Sequence, residues 1–268
     1  LFGVLGNGLL LWDIRQTIRI DNWVETYRRQ VENWFETISY FDAHISLSNY
    51  TYNHPEHHFP EINKNNTLLA AEALAHPLLD KITRVPNNIL IADTDFHIIT
   101  GANMAGKSTF LRTVALGMVM ANAGLPVCAE KMVYNPTKLI TSMRTSDSLM
   151  EESSYFYAEI IRLRFMVNQM KKEKYFIVLD EILKGTNSKD KAMGSMKFVE
   201  KLVKSGSTGI IATHDLSLCE IAKDYPQIHN KFFDAKIKNE ELDFDYKLKD
   251  GICTNMNASF LMKKMEII

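Results

Sequence analysis

Three short segments carry residue types whose spacing could do chemistry on a phosphate. In "GANMAGKST" (101–109), Gly101, Gly106, Lys107 and Ser108 satisfy the pattern G-x-x-x-x-G-K-[ST]. The glycines let the backbone curl so that its N–H groups face phosphate oxygens, and a helix beginning near Lys107 would present its positive end to them. The Lys107 ammonium would neutralise the β- and γ-phosphates, and the Ser108 hydroxyl would ligate Mg²⁺. In "YFIVLDE" (175–181), Asp180 ends an apolar run, where a charge is costly without a partner. Mg²⁺, held directly or through water, is that partner. Glu181 follows at once and could orient and deprotonate an attacking water. The third segment, "TGIIATHD" (208–215), ends in His214 and Asp215. A polar side chain there could touch the γ-phosphate and report its presence. Together the motifs predict a Mg²⁺-dependent nucleoside triphosphatase.

These groups must be positioned by alternating strands and helices. "FHIIT" (96–100) reads as a short buried strand feeding the glycine loop, and a helix follows from Lys107 to about Ala123, stopped by Gly124 and Pro126. A second helix carries Phe156, Ile160, Leu163, Val167 and Met170 on one face. The strand "YFIVLD", a helix over about 189–204 and the strand "TGIIAT" complete an α/β pattern with a mostly parallel sheet. Ser148 and Glu151 fit a capping box ahead of the second helix. Ser153 and Ser154 lie near its start, either as simple caps or as a second anion site for a nucleotide on another subunit. Late in the chain, Phe233, Ala235 and Ile237, then Leu242, Phe244, Tyr246 and Leu248, alternate about a polar turn and predict a hairpin.

The front of the chain differs in character. From Asn22 to about Ser48, Tyr27, Val31, Trp34, Ile38, Phe41 and Ile45 recur at helical spacing, as an amphipathic helix packed on a core or a long lever helix meeting another helix. "NYTYNHPEHHFPEINKNN" (49–66) breaks that pattern. Its His54, His57 and His58 are read as belonging to a solvated loop, since no Cys or carboxylate constellation accompanies them. The opening "LFGVLGNGLLLW" is apolar, but its about 12 residues fall short of the roughly 20 that span a bilayer. The initial Leu suggests a piece of a longer chain. The full length of 268 residues, 46% hydrophobic, allows one large domain with an appendage, and a net charge of −1 advertises no nucleic-acid or anionic-membrane affinity in bulk. Cys128, Cys219 and Cys253 lack ligand spacing and suit a reducing, cytoplasmic setting.

From about Ala73 to its end the sequence resembles the C-terminal ATPase domain of the MutS family of DNA mismatch-repair proteins. "AHPLL" (75–79), "ITGANMAGKSTFLRTVAL", "SSYFYAEI", "DEILKGTNSKD", "ATHD" and "FDYKLKDG" occur in that family's order and spacing. The resemblance implies an ABC-like P-loop NTPase that binds and slowly hydrolyses ATP to ADP and phosphate with Mg²⁺. It implies residues 63–268 as ATPase domain and 1–62 as a helical core/lever segment. The nucleotide-binding residues it implies are Gly101, Ala102, Asn103, Met104, Ala105, Gly106, Lys107, Ser108 and Thr109. Ser108 and Asp180 would hold the metal, and Lys107, Glu181 and His214 would be catalytic. Asn103 would sense phosphate, and the turn Arg84–Asn88 would lie beside the adenine. Ser154, or Ser153 in the neighbouring register, would reach the nucleotide of a partner in an ATP-dependent homodimer.

Departures from the family pattern qualify the biology. Ala102 and Ala105 stand where the family usually has proline and glycine, and "EESS" replaces the usual glycine and arginine ahead of the signature serine. The expectation is therefore a switch for a DNA-processing protein, with DNA contacts made by regions absent or incomplete here and any membrane tether upstream. Two alternatives are a MutS-like ATPase acting on recombination intermediates, RNA or ribosomes, and a nucleotide-dependent scaffold with little turnover.

Overall fold

The computed structural model describes residues 2–63, 65–143, 155–183, 187–238 and 241–253. The chain divides into two units, Leu1–Pro55 and Glu56–Ile268.

In the first unit, α1 (Phe2–Leu10) and α2 (Trp12–Asn53) meet at Leu11, whose φ of 49° breaks the helix. The Asn7 side chain accepts from the Asp13 amide at 2.8 Å, satisfying one donor of the first turn of α2. The helix expected over 22–48 thus extends over 42 residues, or ~63 Å. No residue of α2 is buried, and the apolar seam is open: Trp34, Ile38, Phe41 and Ile45 are all exposed. Local ring contacts organise part of it, with Trp23, Tyr27 and Trp34 at centroid separations of 5.5–6.3 Å.

The second unit holds β1 (Glu61–Ile62), β2 (Thr67–Leu74), β3 (Asn87–Ala92), β4 (Phe96–Gly101), α3 (Lys107–Asn122), β5 (Lys131–Tyr134), β6 (Lys138–Ser142), α4 (Tyr155–Met170), β7 (Tyr175–Asp180), α5 (Ser188–Lys204), β8 (Thr208–Ala212), the 3-10 helix Leu216–Lys223, β9 (Ile228–Phe233), β10 (Lys236–Lys238), β11 (Glu241–Asp243) and β12 (Leu248–Asp250). Six strands form the main sheet in the order β12-β9-β4-β8-β7-β6, parallel except for β12. Every residue of β4 and β8 is buried, as a parallel sheet covered on both faces requires. On one face Phe96, Ile98, Ile177, Leu179 and Ile211 pack against Leu163 and Met166 of α4, Val199 and Leu202 of α5 and Leu218 of the 3-10 helix. Gly209 is required at its position, because a Cβ there would lie 2.9 Å from the Ile177 carbonyl and 2.7 Å from the Phe96 ring.

A second sheet, β1-β5-β2-β3, was not anticipated from the sequence. The helix α3 touches β4, β6, β7 and β8 of the main sheet and β2 of this one. That position explains why Phe110, Leu111, Thr113, Val114 and Met118 are all buried rather than a single stripe. Two expectations need correction. The segment around His57 and His58 is no solvated loop: His57 is buried, His58 bridges Val127, and its ring pairs with the Ala129 carbonyl at 2.9 Å. The late hairpin is divided. Phe233 pairs with Leu248 at the edge of the main sheet, whereas Ile237 pairs with Leu242 in a separate ribbon. Between the ladder ends, Phe233–Leu248 and Lys236–Asp243, the outgoing limb has two residues and the return limb four, so the return limb bulges.

Candidate nucleotide site

Three neighbouring parallel strands, β4, β8 and β7, end at the same edge of the sheet. In open α/β sheets ligands bind beyond such carboxyl ends. Beyond β4 the chain turns through Gly101 (φ 143°), Met104 (φ 65°) and Gly106 (φ 105°) into α3. A side chain at Gly101 would meet the Phe233 carbonyl at 2.5 Å, so the loop needs glycine both for conformation and for space. Lys107 at the first position of α3 is buried and folds back under the loop. Its Nζ donates to the carbonyls of Gly101 at 2.8 Å and Ala102 at 2.9 Å and lies 3.4 Å from both ring nitrogens of His214.

Ser108, one residue on, donates its hydroxyl to Asp180 Oδ1 at 3.1 Å. Asp180 is buried, and its Oδ2 has no hydrogen-bond partner among the described residues. A buried carboxylate oxygen without a donor is costly unless a cation meets it. A hydroxyl beside a carboxylate with a spare oxygen is the hard-oxygen donor set that Mg²⁺ takes, so the residues present fit that ion. Glu181 follows at φ 51°, its amide held by the Ala212 carbonyl at 2.9 Å. Its Oε1 lies 2.5 Å from His214 Nε2. The left-handed conformation of a non-glycine residue costs about 1–2 kcal/mol. Here it turns the side chain from the strand direction toward the tip of β8. The turn is held further on, where Leu183 (φ 60°) donates its amide to Glu159 of α4 at 2.7 Å.

A cavity of about 720 Å³ opens over these groups. Asn103, Met104, Gly106, Lys107, Ser108, Thr109, Asp180, Glu181 and His214 line it, so most of the residues expected to act on phosphate share one hollow. Ala102 contributes its carbonyl to Lys107, and Ala105 is fully buried beneath the loop. Asp215 serves another purpose, capping the 3-10 helix through Ser217. Ser148, Glu151, Ser153 and Ser154 lie outside the described residues.

The far wall was only partly legible. Arg84, Val85 and Asn87 of the 84–88 turn line it, together with Thr83. His76, Leu79, Phe233 and Tyr246 join them without having been singled out for it. Tyr246 (φ 50°) sits on the return-limb bulge, its carbonyl accepting from Asn87 Nδ2 at 3.0 Å. Asn87 Oδ1 in turn accepts from the Leu248 amide at 2.7 Å. No break in the sequence announces this, since Leu242, Phe244, Tyr246 and Leu248 alternate without interruption.

Residues 97–265 match the family described as MutS domain V. The chain belongs to the MutS family. MutS domain V is an ABC-like P-loop ATPase domain, in keeping with the mostly parallel sheet. Human MutS protein homolog 4 is 33% identical over 193 residues, covering 68% of this chain and 20% of that protein. The DNA mismatch repair protein MutS of Thermotoga petrophila is 33% identical over 181 residues, covering 66% of this chain and 23% of that one. Its counterpart in Aquifex pyrophilus is 30% identical over 198 residues, covering 72% and 23%. The chain thus spans about a fifth to a quarter of the length of these MutS relatives. No helix among the described residues is long and apolar enough to cross a membrane.

Proposed function

We propose that this MutS domain binds ATP with Mg²⁺ and hydrolyses it slowly to ADP and phosphate. Bound Mg·ATP would supply the phosphoanhydride to be broken and the cation that draws charge from it. The observation that carries the reading is the Ser108–Asp180 contact beside Asp180 Oδ2, which has no partner among the described residues, within a hollow that also holds Lys107 and the Glu181–His214 pair. Loop N–H groups and the start of α3 bind phosphate oxygens, and Lys107 exchanges its two carbonyl partners for them. Ser108 and Asp180 would hold the metal. Glu181 accepts a proton from the attacking water at its carboxylate, while His214 Nε2 fixes the orientation of Glu181. The walls from Thr83 to Asn87 and the Tyr246 ring receive the adenine.

Nucleotide binding would drive closure of a homodimer through this face, with Ser154 or Ser153 reaching the partner's phosphates. The movement would switch an attached DNA-processing region of mismatch-repair type in the reducing cytoplasm. The 1–62 segment would serve as the helical core/lever part.

Single-turnover phosphate release tests the catalytic assignment. Glu181→Gln retains ATP affinity but loses roughly 100- to 10,000-fold in hydrolysis, the range for removing a positioned base. Unchanged release would overturn the role of Glu181. Light scattering with ATP and Mg²⁺ tests closure, since the same variant should accumulate as a dimer. A monomer mass at high protein concentration would refute it.

A further inference from the structure

At the end of β4 away from the phosphate loop lies a second group of ligand-bearing side chains. His97 on β4 and His229 on β9 are direct neighbours across a parallel ladder, so their side chains leave the same face of the sheet. Asp95 precedes His97 by two residues. His229 Nε2 is 3.4 Å from Asp95 Oδ2, and the two imidazole centroids are 5.1 Å apart. One donor atom from each of the three residues lies within 4.8 Å of the others. The burial is graded: His97 is only 2% exposed, whereas the His229 side chain is 45% exposed.

His97 is the anomaly. Both of its ring nitrogens are buried without a hydrogen-bond partner among the described residues. Leaving such atoms unmet is costly, and an apolar residue at this strand position would avoid the cost. We infer that Asp95, His97 and His229 form a binding site for one divalent transition-metal ion of the zinc class, independent of the nucleotide site. Two imidazoles and a carboxylate are a donor set such ions take, with water completing the shell on the open side. Ligand atoms about 2.0–2.1 Å from a tetrahedral ion sit about 3.3 Å apart. The His229–Asp95 pair already has that spacing, and all three donor atoms lie within 4.8 Å of one another, within reach of small side-chain rotations.

The surroundings suit the purpose. Asp95 Oδ2 also accepts from the Ala92 amide at 3.0 Å, which orients the carboxylate as outer partners orient metal ligands. The nearby cation Lys231 is met by Asp250 at 2.5 Å. An ion here would pin β9 to β4, the strand that leads into the phosphate loop.

The test is calorimetric titration of the chelator-stripped full chain with Zn²⁺ in excess Mg²⁺, with Co²⁺ absorption as the report on ligand type. Wild type should take up one Zn²⁺ with micromolar or tighter affinity and give a visible Co²⁺ spectrum of mixed nitrogen and oxygen ligation. His229→Ala and Asp95→Asn should each lose at least tenfold in affinity, while Asp180→Asn binds Zn²⁺ as wild type does. His229 is exposed, so its variant is not a test of folding. Absence of Zn²⁺ uptake by wild type, or unchanged affinity and Co²⁺ spectrum in His229→Ala, overturns the proposal. ATP affinity stays at the wild-type level in His229→Ala.

Discussion

Lys107 is a single side chain serving two ends. Its amine is hydrogen-bonded to the carbonyls of Gly101 and Ala102, which draws the phosphate loop closed around it. Removing it costs the loop its internal tether as well as the charge opposite phosphate. Losing one partner of a buried, charge-assisted contact typically costs about 2–5 kcal/mol. Lys107→Ala should therefore weaken ATP binding by at least about thirtyfold, read by titration with a fluorescent nucleotide analogue. Spacing alone made Lys107, Ser108, Asp180 and Glu181 readable, because phosphate and Mg²⁺ chemistry constrains residue type at fixed offsets along the chain. The Glu181–His214 contact was not readable: it depends on the positive φ at Glu181, which no periodicity announces. Tyr246 was hidden similarly, since a two-residue excess on one limb of a hairpin leaves the apolar pattern nearly intact.

The elements that carry the site are held by close backbone approach. At Gly209 the strands β8, β4 and β7 crowd so tightly that a methyl group would press on the Ile177 carbonyl, which cannot yield as a flexible side chain would. Overpacking of this kind costs about 1–3 kcal/mol, so Gly209→Ala should lower the urea midpoint of the second unit with an unchanged slope. The Glu159–Leu183 bond links α4 to the turn that aims Glu181. A hydrogen bond to a charged group is worth about 1.5–3 kcal/mol. Glu159→Ala should reduce turnover by about tenfold or more while leaving ATP affinity within about twofold, a split that steady-state kinetics and equilibrium binding resolve together. The strands β4, β7 and β8 and the helices α3, α4 and α5 were all legible from apolar runs and stop signals. The sheet β1-β5-β2-β3 was not. Its β3 alternates in burial but reads in sequence as the unbroken apolar run Ile89–Ala92, and β1, only two residues long, has no pattern of its own.

At the scale of the molecule, the second unit has a buried apolar core, whereas the long helix of the first buries no residue. All three cysteines, Cys128, Cys219 and Cys253, are buried in the second unit. Burial pushes the Cys219 thiol up to about 11 and raises Cys128, leaving little reactive thiolate near neutral pH. Native protein should therefore react slowly with a thiol reagent, and the reaction should accelerate across the urea transition that opens this core. The first unit offers no such probe, because it has no cysteine, and α2 buries none of its residues. Ordering a residue costs roughly 1–2 kcal/mol of backbone freedom, and isolated helices in water are marginal even when rich in alanine. A peptide spanning 1–55 would therefore lose most of its far-ultraviolet helical signal, or regain it only by clustering with its own copies. The long rod of this chain is thus a borrower of order, and whatever touches its aromatic stripe decides whether it stands.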